Sequence, residues 1–274
     1  MLLYGLPASR TTGYHPRMND PQHWAELSPH IVAIAQRAGA AILKVIQGDL
    51  DVRAKADASP VTAADEAADA IIVDALKDLT PEIPVVTEER TGSWDLRGGP
   101  RAPFWLVDPL DGTRELVAGR EEYTVNIALI ENRVPVLGVV HTPAAGETHF
   151  GWGRGQAFQH HDGKRPQAIS VRRPPAGTLI AVASRSHRDA ETDAYLREHG
   201  VSETRAIGSS LKFCLIATGE ADLYPRFGRT MEWDTAAGHA VLRAAGGSVT
   251  TLDGAELRYG KPGLENPVFI ARGG

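Results

Sequence analysis

Residues 105–115 have the sequence WLVDPLDGTRE, in which a short hydrophobic run ends in two aspartates three residues apart. The run predicts a strand that delivers Asp108 to a turn, where Pro109 fixes the backbone. Gly112 allows the tight or left-handed conformation that such a turn needs. Asp108 and Asp111 can therefore converge on one cation, and hard divalent cations such as Mg²⁺ prefer oxygen ligands of this kind.

Two further acidic positions strengthen this interpretation. A turn rich in Asp, Pro and Gly is common at protein surfaces, so the motif alone does not establish a metal site. Glu88 follows the apolar run IPVV, and Asp234 stands at the predicted start of an Ala-rich helix. Each has an ordinary alternative, a solvated loop charge for Glu88 and a helix N-cap for Asp234. Together, however, converging carboxylates are costly in a protein interior unless cations neutralise them.

Two amphipathic helices are predicted before the acidic motif. Apolar residues recur at helical spacing in residues 28–48, where Ser28 can act as the N-cap. The same spacing recurs in residues 62–79. Thr62 followed three residues later by Asp65 is typical of a helix N-terminus, because the two side chains can cap each other's backbone N–H groups.

The order of the remaining segments predicts stacked layers. Strands cluster in the first half, and helices and strands alternate after the turn-forming segment RRPPAG. We divide the chain into a disordered tail (1–27), an N-terminal α+β metal-binding half (28–172) and a C-terminal α/β half that completes the active site (173–274). Whether Met1 or Met18 is the true start stays open.

Composition narrows the class of function. The net charge of −5 argues against nucleic-acid binding, which usually needs a basic face. The single cysteine, Cys214, excludes a disulfide framework and fits a reducing compartment. No run approaches the roughly 20 apolar residues of a membrane span. We therefore expect a cytoplasmic protein without a transmembrane segment, and leave open a peripheral association with the inner membrane.

Several segments resemble the inositol-monophosphatase-like, lithium-sensitive phosphatase superfamily. They are TEE, WLVDPLDGT and WDTAAGHAVLRAAGG. Within that superfamily, the segments SPVTAAD, EYTVNIALI, PVLGVV, SRSH and IGSSLKFCLIATGEADLYPRFG resemble the bacterial CysQ-type 3′(2′),5′-bisphosphate nucleotidases. The resemblance covers residues 28–270. It implies the αβαβα sandwich of the sugar-phosphatase type, and a homodimer.

The resemblance also implies a role for each matching residue. Two or three Mg²⁺ ions would be held by Glu88, Asp108, Asp111, Asp234 and the carbonyl oxygen of Leu110. Glu88 and Thr113 would orient and deprotonate the attacking water, and Asp65 would lie beside that water or beside a third metal. The residues implied in substrate binding are Asp111, Gly112, Thr113, Ser209, Lys212 and Asp234. Leu116 departs from the family pattern, which commonly has Phe at this position, and the change affects only packing.

The implied reaction is the Mg²⁺-dependent hydrolysis of the 3′-phosphate of adenosine 3′,5′-bisphosphate to AMP and phosphate. Whether the sulfated form of this nucleotide is also accepted stays open. An inositol or sugar phosphate monoesterase on the same site is an alternative, although the segment at residues 207–228 favours the nucleotidase. A non-catalytic nucleotide-binding regulator is a second alternative. His187 and Arg226 are polar residues near predicted strand ends. For His187, a substrate contact and a loop role are both open. For Arg226, a substrate contact and a surface position are both open.

Overall fold

The computed structural model describes residues 20–48, 51–54, 60–90, 99, 101–175, 177–186 and 189–274. The described residues form six α-helices: α1 (Pro21–Ile46), α2 (Ala63–Leu79), α3 (Thr113–Val117), α4 (Ala190–Glu198), α5 (Leu211–Ala217) and α6 (Trp233–Ala244). Most of the predicted tail, residues 1–19, lies outside the described residues.

The strands of the described residues form a ribbon and two larger sheets. The ribbon pairs β1 (Arg53–Ala54) with β2 (Pro60–Val61). The seven-stranded sheet contains, in spatial order, β3 (Val85–Thr87), β4 (Phe104–Asp111), β5 (Thr124–Glu131), β6 (Val134–Thr142), β7 (Glu147–Trp152), β8 (Gln156–His161) and β9 (Gln167–Ala168). Only β3 and β4 are parallel in it; the other described pairs are antiparallel.

The five-stranded sheet is mixed. Its strands are β10 (Ile180–Ser184), β11 (Glu203–Ile207), β12 (Leu223–Arg226), β13 (Ser248–Thr251) and β14 (Phe269–Arg272). Their spatial order is β11-β10-β12-β14-β13, with β10 parallel to β11 and β12 and with β14 antiparallel to its neighbours. The predicted division at residues 172 and 173 falls in the connection between the two sheets.

Three clusters of buried hydrophobic side chains define the layers of the described structure. One lies between the α1–α2 pair and the seven-stranded sheet, a second surrounds α5 and α6 between the two sheets, and a third joins the five-stranded sheet to α4. The order is therefore helix, sheet, helix, sheet, helix. This arrangement confirms the predicted αβαβα sandwich.

Helix α6 is held close to the seven-stranded sheet by small residues. Gly138 and Gly151 are paired on β6 and β7, and both face α6. A methyl group on Gly138 would lie 2.5 Å from the carbonyl oxygen of Ala237 and 2.6 Å from Cβ of Ala240. A methyl group on Gly151 would lie 2.7 Å from Cβ of Ala244. The backbone of α6 can approach the sheet this closely only because both strands lack side chains there.

Helix α1 begins earlier than the sequence predicted. Asp20 accepts a hydrogen bond from the Gln22 N–H at 3.0 Å, and Pro21 occupies the first turn. The helix therefore begins at Pro21, and the prediction that Ser28 caps it is wrong. Residues 21–27, predicted as part of the tail, are helical. By contrast, α2 has the capping pair that the sequence predicted.

Helix α1 packs as a core helix. The Nε1–H group of Trp24 donates to Glu131 Oε1 at 3.1 Å, which ties the first turn to β5. Ile31, Ala38 and Ile42 are fully buried against α2 and the seven-stranded sheet. By length and composition alone α1 could cross a membrane. Its packing accounts for that apolar composition, because one face of the helix covers the core.

We predict that Gly138→Ala destabilises the protein by about 1–3 kcal/mol, because the added methyl group overpacks the contact with α6. The free energy of unfolding, measured by urea denaturation, checks this. Gly48→Ala is a matched control, since a methyl group there would meet only the Val45 carbonyl oxygen at 3.6 Å. Equal stabilities of the Gly138→Ala protein and the control would contradict the proposed contact.

Candidate active site

Carboxylates from three separate elements converge at the carboxyl end of β4. Because β3 and β4 are parallel, with Thr87 paired to Val107, Glu88 in the 3₁₀ turn after β3 lies beside Asp108 on β4. Asp234 comes from the first turn of α6, in the helix layer between the sheets. Carboxylate oxygens of Glu88, Asp108 and Asp234 all lie within 4.8 Å of one another.

An irregularity in strand pairing sets the position of Asp111. Asp108 pairs with Asn126 of β5, whereas Asp111 pairs with Thr124, so β4 carries one extra residue over this stretch. The Leu110 N–H donates to Asp108 Oδ1 at 3.1 Å and so holds the irregular segment. Bulges of this type turn side chains away from the regular alternation of a strand. Asp108 and Asp111 consequently both line the same cleft.

The turn after Asp111 requires glycine. Gly112 has φ +97°, and a methyl group there would lie 2.8 Å from the carbonyl oxygen of Glu122. Thr113 then begins α3, and its Oγ1 lies 3.1 Å from Asp65 Oδ1 and 3.2 Å from the carbonyl oxygen of Leu110. The Thr113 hydroxyl can donate its proton to either acceptor, which leaves its lone pairs for another donor.

Asp65 lies outside the cleft lining and is a hydrogen-bond partner of Thr113. Its Oδ2 accepts hydrogen bonds from the Thr62 N–H at 2.8 Å and from the Thr62 hydroxyl at 2.7 Å. The carboxylate is buried and is held in one orientation by these bonds. Asp65 does not line the cleft, so in this structure it acts on the site through Thr113.

Burial and repulsion within the cluster raise the pKa values of two of its carboxylates. Burial raises the pKa of Asp111 to about 6; the charge of Lys212 opposes this shift and that of Glu88 adds to it. Burial also raises the pKa of Asp234 well above its usual range, and the nearby charges of Asp111 and Glu88 raise it further. A carboxylate with a raised pKa is one whose ionised form is destabilised. An added cation would relieve that destabilisation.

The donor set fits a hard divalent cation. The converging groups are the carboxylates of Glu88, Asp108 and Asp234, with Asp111 and the carbonyl oxygen of Leu110 in the same cleft. All of them are oxygen donors, which suit Mg²⁺, Ca²⁺ or Mn²⁺ rather than the metals that prefer sulfur.

Two cationic side chains, Lys212 and Arg226, also line the cleft and form what we call its cationic wall. The cleft encloses about 420 Å³, and Ser209, Lys212 and Arg226 line it together with the carboxylates. The Lys212 ammonium donates to the Ser209 carbonyl oxygen and lies 5.3 Å from the centroid of the Tyr224 ring. Burial lowers the pKa of Lys212 to about 8, although the charge of Asp111 opposes the shift. At neutral pH the cleft therefore presents both carboxylates and cationic side chains.

A buried hydrogen-bond network joins the cationic wall to β5. The Ser210 hydroxyl donates to Asn126 Oδ1 at 2.6 Å and lies 2.9 Å from Thr124 Oγ1. Asn126 and Thr124 are the β5 partners of Asp108 and Asp111. The network therefore fixes the start of α5, which carries Lys212, against the strand pair that carries the aspartates.

A second connection lies nearer the surface. Glu122 Oε2 accepts a hydrogen bond from the Gly208 N–H at 2.7 Å. The Arg185 guanidinium binds the same carboxylate through Nη2 at 2.6 Å and Nε at 3.1 Å. Glu122 thus connects the segment after α3 to the loop that precedes Ser209.

The structure brings most of the predicted site residues together. Those that line the cleft are Glu88, Asp108, Leu110, Asp111, Gly112, Thr113, Ser209, Lys212 and Asp234. Their roles in metal and substrate binding stay predictions. Arg226 is 7% exposed and lines the cleft, so it is not a surface residue. His187 lies outside the described residues.

Sequence reasoning missed the residues that position the site. They are Thr124, Asn126, Ser210, Glu122 and Arg185. Two polar residues at alternate positions of an otherwise apolar strand, Thr124 and Asn126, were the available signal, because a buried polar side chain needs a partner. Nothing local in the sequence pairs them with Ser210, which lies more than eighty residues away.

We predict that metal-free protein loses stability as the pH rises through about 6, the folded-state pKa of Asp111. The raised pKa means that folding favours the protonated form, so this contribution is full below about pH 4 and absent above pH 6. Asp111→Asn should therefore stabilise metal-free protein by up to about 3 kcal/mol at pH 7.5 and have little effect at about pH 3.5. Urea denaturation at both pH values checks this, and a pH-independent difference would contradict it.

Comparison with known proteins places the chain in a family. Residues 23–268 match the model of the inositol monophosphatase family. The 3′(2′),5′-bisphosphate nucleotidase CysQ of Escherichia coli K12 is 49% identical over 233 residues, which are 84% of this chain and 92% of the relative.

Solved structures agree with this assignment. The crystal structure of CysQ from Bacteroides thetaiotaomicron superposes with a TM-score of 0.77 at 39% identity, over 90% of this chain and 97% of that one. An inositol monophosphatase from Thermotoga maritima superposes with a TM-score of 0.70 at 25% identity, over 89% and 91% of the two chains. The resemblance seen in the sequence is confirmed. The chain belongs to the inositol monophosphatase family and is similar to its CysQ members.

Proposed function

We propose that the protein is a Mg²⁺-dependent phosphatase that hydrolyses the 3′-phosphate of adenosine 3′,5′-bisphosphate to AMP and phosphate. One observation carries the choice of substrate: a single cleft joins the carboxylate cluster to a wall formed by Lys212 and Arg226. A substrate with two separate phosphates can place one at the metal-binding carboxylates and the other at this wall. An inositol monophosphate would leave the cationic wall without an anionic partner.

The similarity to CysQ supports the same substrate. Two Escherichia coli relatives named 3′(2′),5′-bisphosphate nucleotidase CysQ are 50% and 49% identical to this chain over 233 residues. The homodimer, the cytoplasmic location and the two-part division of the chain stay predictions from the sequence.

The residues around Thr113 are arranged to handle a proton. If the Thr113 hydroxyl donates to Asp65, its lone pairs can accept a hydrogen bond from a water molecule in the cleft. Asp65 cannot turn away, because Thr62 holds its other oxygen with two hydrogen bonds. Glu88, which lines the same cleft, is the second acceptor for that water. Thr113 and Glu88 would together orient the water and take its proton.

The turn at residues 112–113 is placed to hold the phosphate that is cleaved. The first N–H groups of a helix have no partner within the helix, so those of Gly112 and Thr113 can donate to phosphate oxygens. Glycine at position 112 also keeps the backbone open to a ligand. Bound divalent cations on Glu88, Asp108, Asp111, Asp234 and the Leu110 carbonyl would supply positive charge for the phosphate and would make water more acidic.

The second phosphate would bind the cationic wall. Arg226 is buried, and one of its terminal nitrogens donates to the Arg229 carbonyl oxygen at 3.0 Å, which fixes the direction of the guanidinium. An arginine held in this way binds phosphate more specifically than a flexible surface side chain. Lys212 and Ser209 would complete this subsite.

Phosphate release from adenosine 3′,5′-bisphosphate, inositol 1-phosphate and fructose 1,6-bisphosphate, each with and without Mg²⁺, tests the proposal. We expect Mg²⁺-dependent turnover with strong preference for the nucleotide. Asp234→Asn should lower kcat by about 100-fold or more, since it removes a ligand from the metal cluster, and circular dichroism should show a folded protein. Preference for inositol 1-phosphate would overturn the choice of substrate, and absence of turnover would favour the non-catalytic regulator.

We predict that Arg226→Gln lowers kcat/KM for adenosine 3′,5′-bisphosphate by about 10- to 100-fold, the effect of losing a charged hydrogen-bond partner. The loss should be far smaller for 3′-AMP, which lacks the second phosphate. Arg229→Gln is the matched control, because Arg229 lines the same cleft but pairs with Glu265 at 3.1 Å. Equal losses on both substrates would show that Arg226 does not bind the second phosphate.

A further inference from the structure

A second cavity lies at the other end of the seven-stranded sheet. It is open to solvent, has a volume of about 320 Å³ and is lined by Arg101, Asn132, Arg133 and Arg258. Arg101 precedes β4, whose opposite end carries the catalytic aspartates, and Arg258 belongs to the segment between β13 and β14. Among the residues that the structure describes, no carboxylate lines this cavity. Three guanidinium groups therefore share one cavity in a protein whose net charge is −5.

One of these arginines occupies an unusual backbone position. Asn132 and Arg133 form the two-residue turn between β5 and β6, with φ +51° and +67°. Turns with two positive φ angles favour Asn followed by Gly, so an arginine at the second position is unfavourable. The Arg133 side chain donates from Nε to the Tyr259 carbonyl oxygen at 3.1 Å, and the Tyr259 N–H donates to the Arg133 carbonyl oxygen at 3.1 Å. The guanidinium is therefore held at the cavity.

Nearby carboxylates do not neutralise all three arginines that line the cavity. Glu256 binds Arg258 at 2.8 Å and also lies 3.7 Å from Arg243, so one carboxylate serves two arginines. The side chain of Arg101 and the terminal nitrogens of Arg133 make no hydrogen bond or ion pair with the described part of the chain. Their N–H groups are thus available to an anion in the cavity.

We propose that the cavity formed by Arg101, Arg133 and Arg258 is a binding site for a phosphate group, separate from the catalytic cleft. Guanidinium groups present paired N–H donors that match phosphate oxygens, and several converging on one cavity bind a multiply charged anion. The ligand is either free inorganic phosphate or the phosphate of a small metabolite. The site does not depend on the identity of the catalytic substrate.

Calorimetric titration of metal-free protein with inorganic phosphate, and separately with AMP, tests the proposal. The catalytic cleft also contains Lys212 and Arg226, so the Arg226→Gln protein is titrated in parallel, and binding that survives this substitution reports the second cavity. We expect one saturable anion site per chain that Arg226→Gln leaves unchanged and that weakens as NaCl is added. A larger affinity for AMP than for phosphate would identify a nucleotide as the ligand, and equal affinities would identify the phosphate group alone.

Arg133→Gly is the decisive variant. It removes the guanidinium while giving the turn the residue that its backbone prefers, so the protein should stay folded in thermal denaturation. We expect the dissociation constant to rise at least about tenfold, and Arg258→Gln to act in the same direction. Arg205→Gln, which alters an exposed arginine paired with Glu203, should change nothing. Absence of saturable binding, or unchanged affinity in Arg133→Gly, would overturn the proposal.

Discussion

Repulsion among four converging carboxylates is the constraint that the fold has to satisfy. Glu88, Asp108, Asp111 and Asp234 come from three elements, and burial and mutual charge raise the pKa values of Asp111 and Asp234. Such a cluster would relax if its members were free to move. The parallel pairing of β3 with β4, the bulge on β4 and the first turn of α6 hold them at one end of a cleft instead. Bound cations would offset the repulsion among these carboxylates by neutralising their charge.

Helix α6 contributes to the carboxylate cluster and packs against elements from both halves of the chain. Its Asp234 completes the carboxylate cluster, while its small face packs on Gly138 and Gly151 of the seven-stranded sheet. On another face, a methyl group on Gly238 would lie 2.5 Å from the Phe213 ring, so α5 also packs closely against it. Because α5 carries Lys212, the same close packing fixes the position of Lys212 relative to Asp234.

The sequence predicted the layers and the acidic residues better than it predicted their supports. Helix α2 was identified because its apolar residues recur at a local helical spacing, and β4 was identified because it is a short apolar run. The predicted start of α1 was wrong. The first turn of this helix is held by a hydrogen bond from Trp24 to Glu131, two residues that are distant in the sequence. The Ser210–Asn126 hydrogen bond and the Glu122–Arg185 ion pair were missed for the same reason. Tertiary contacts of this kind produce no regular spacing of residue types in the sequence.

The most direct test of the account is the anomalous scattering of crystals grown with Mn²⁺, a cation with similar ligand preferences to Mg²⁺. If the carboxylate cluster is a metal centre, anomalous peaks should lie between the side chains of Glu88, Asp108 and Asp234. Mn²⁺ bound only elsewhere, with no peak at this cluster, would contradict the account, because the repulsion among these carboxylates would then have no cation to offset it.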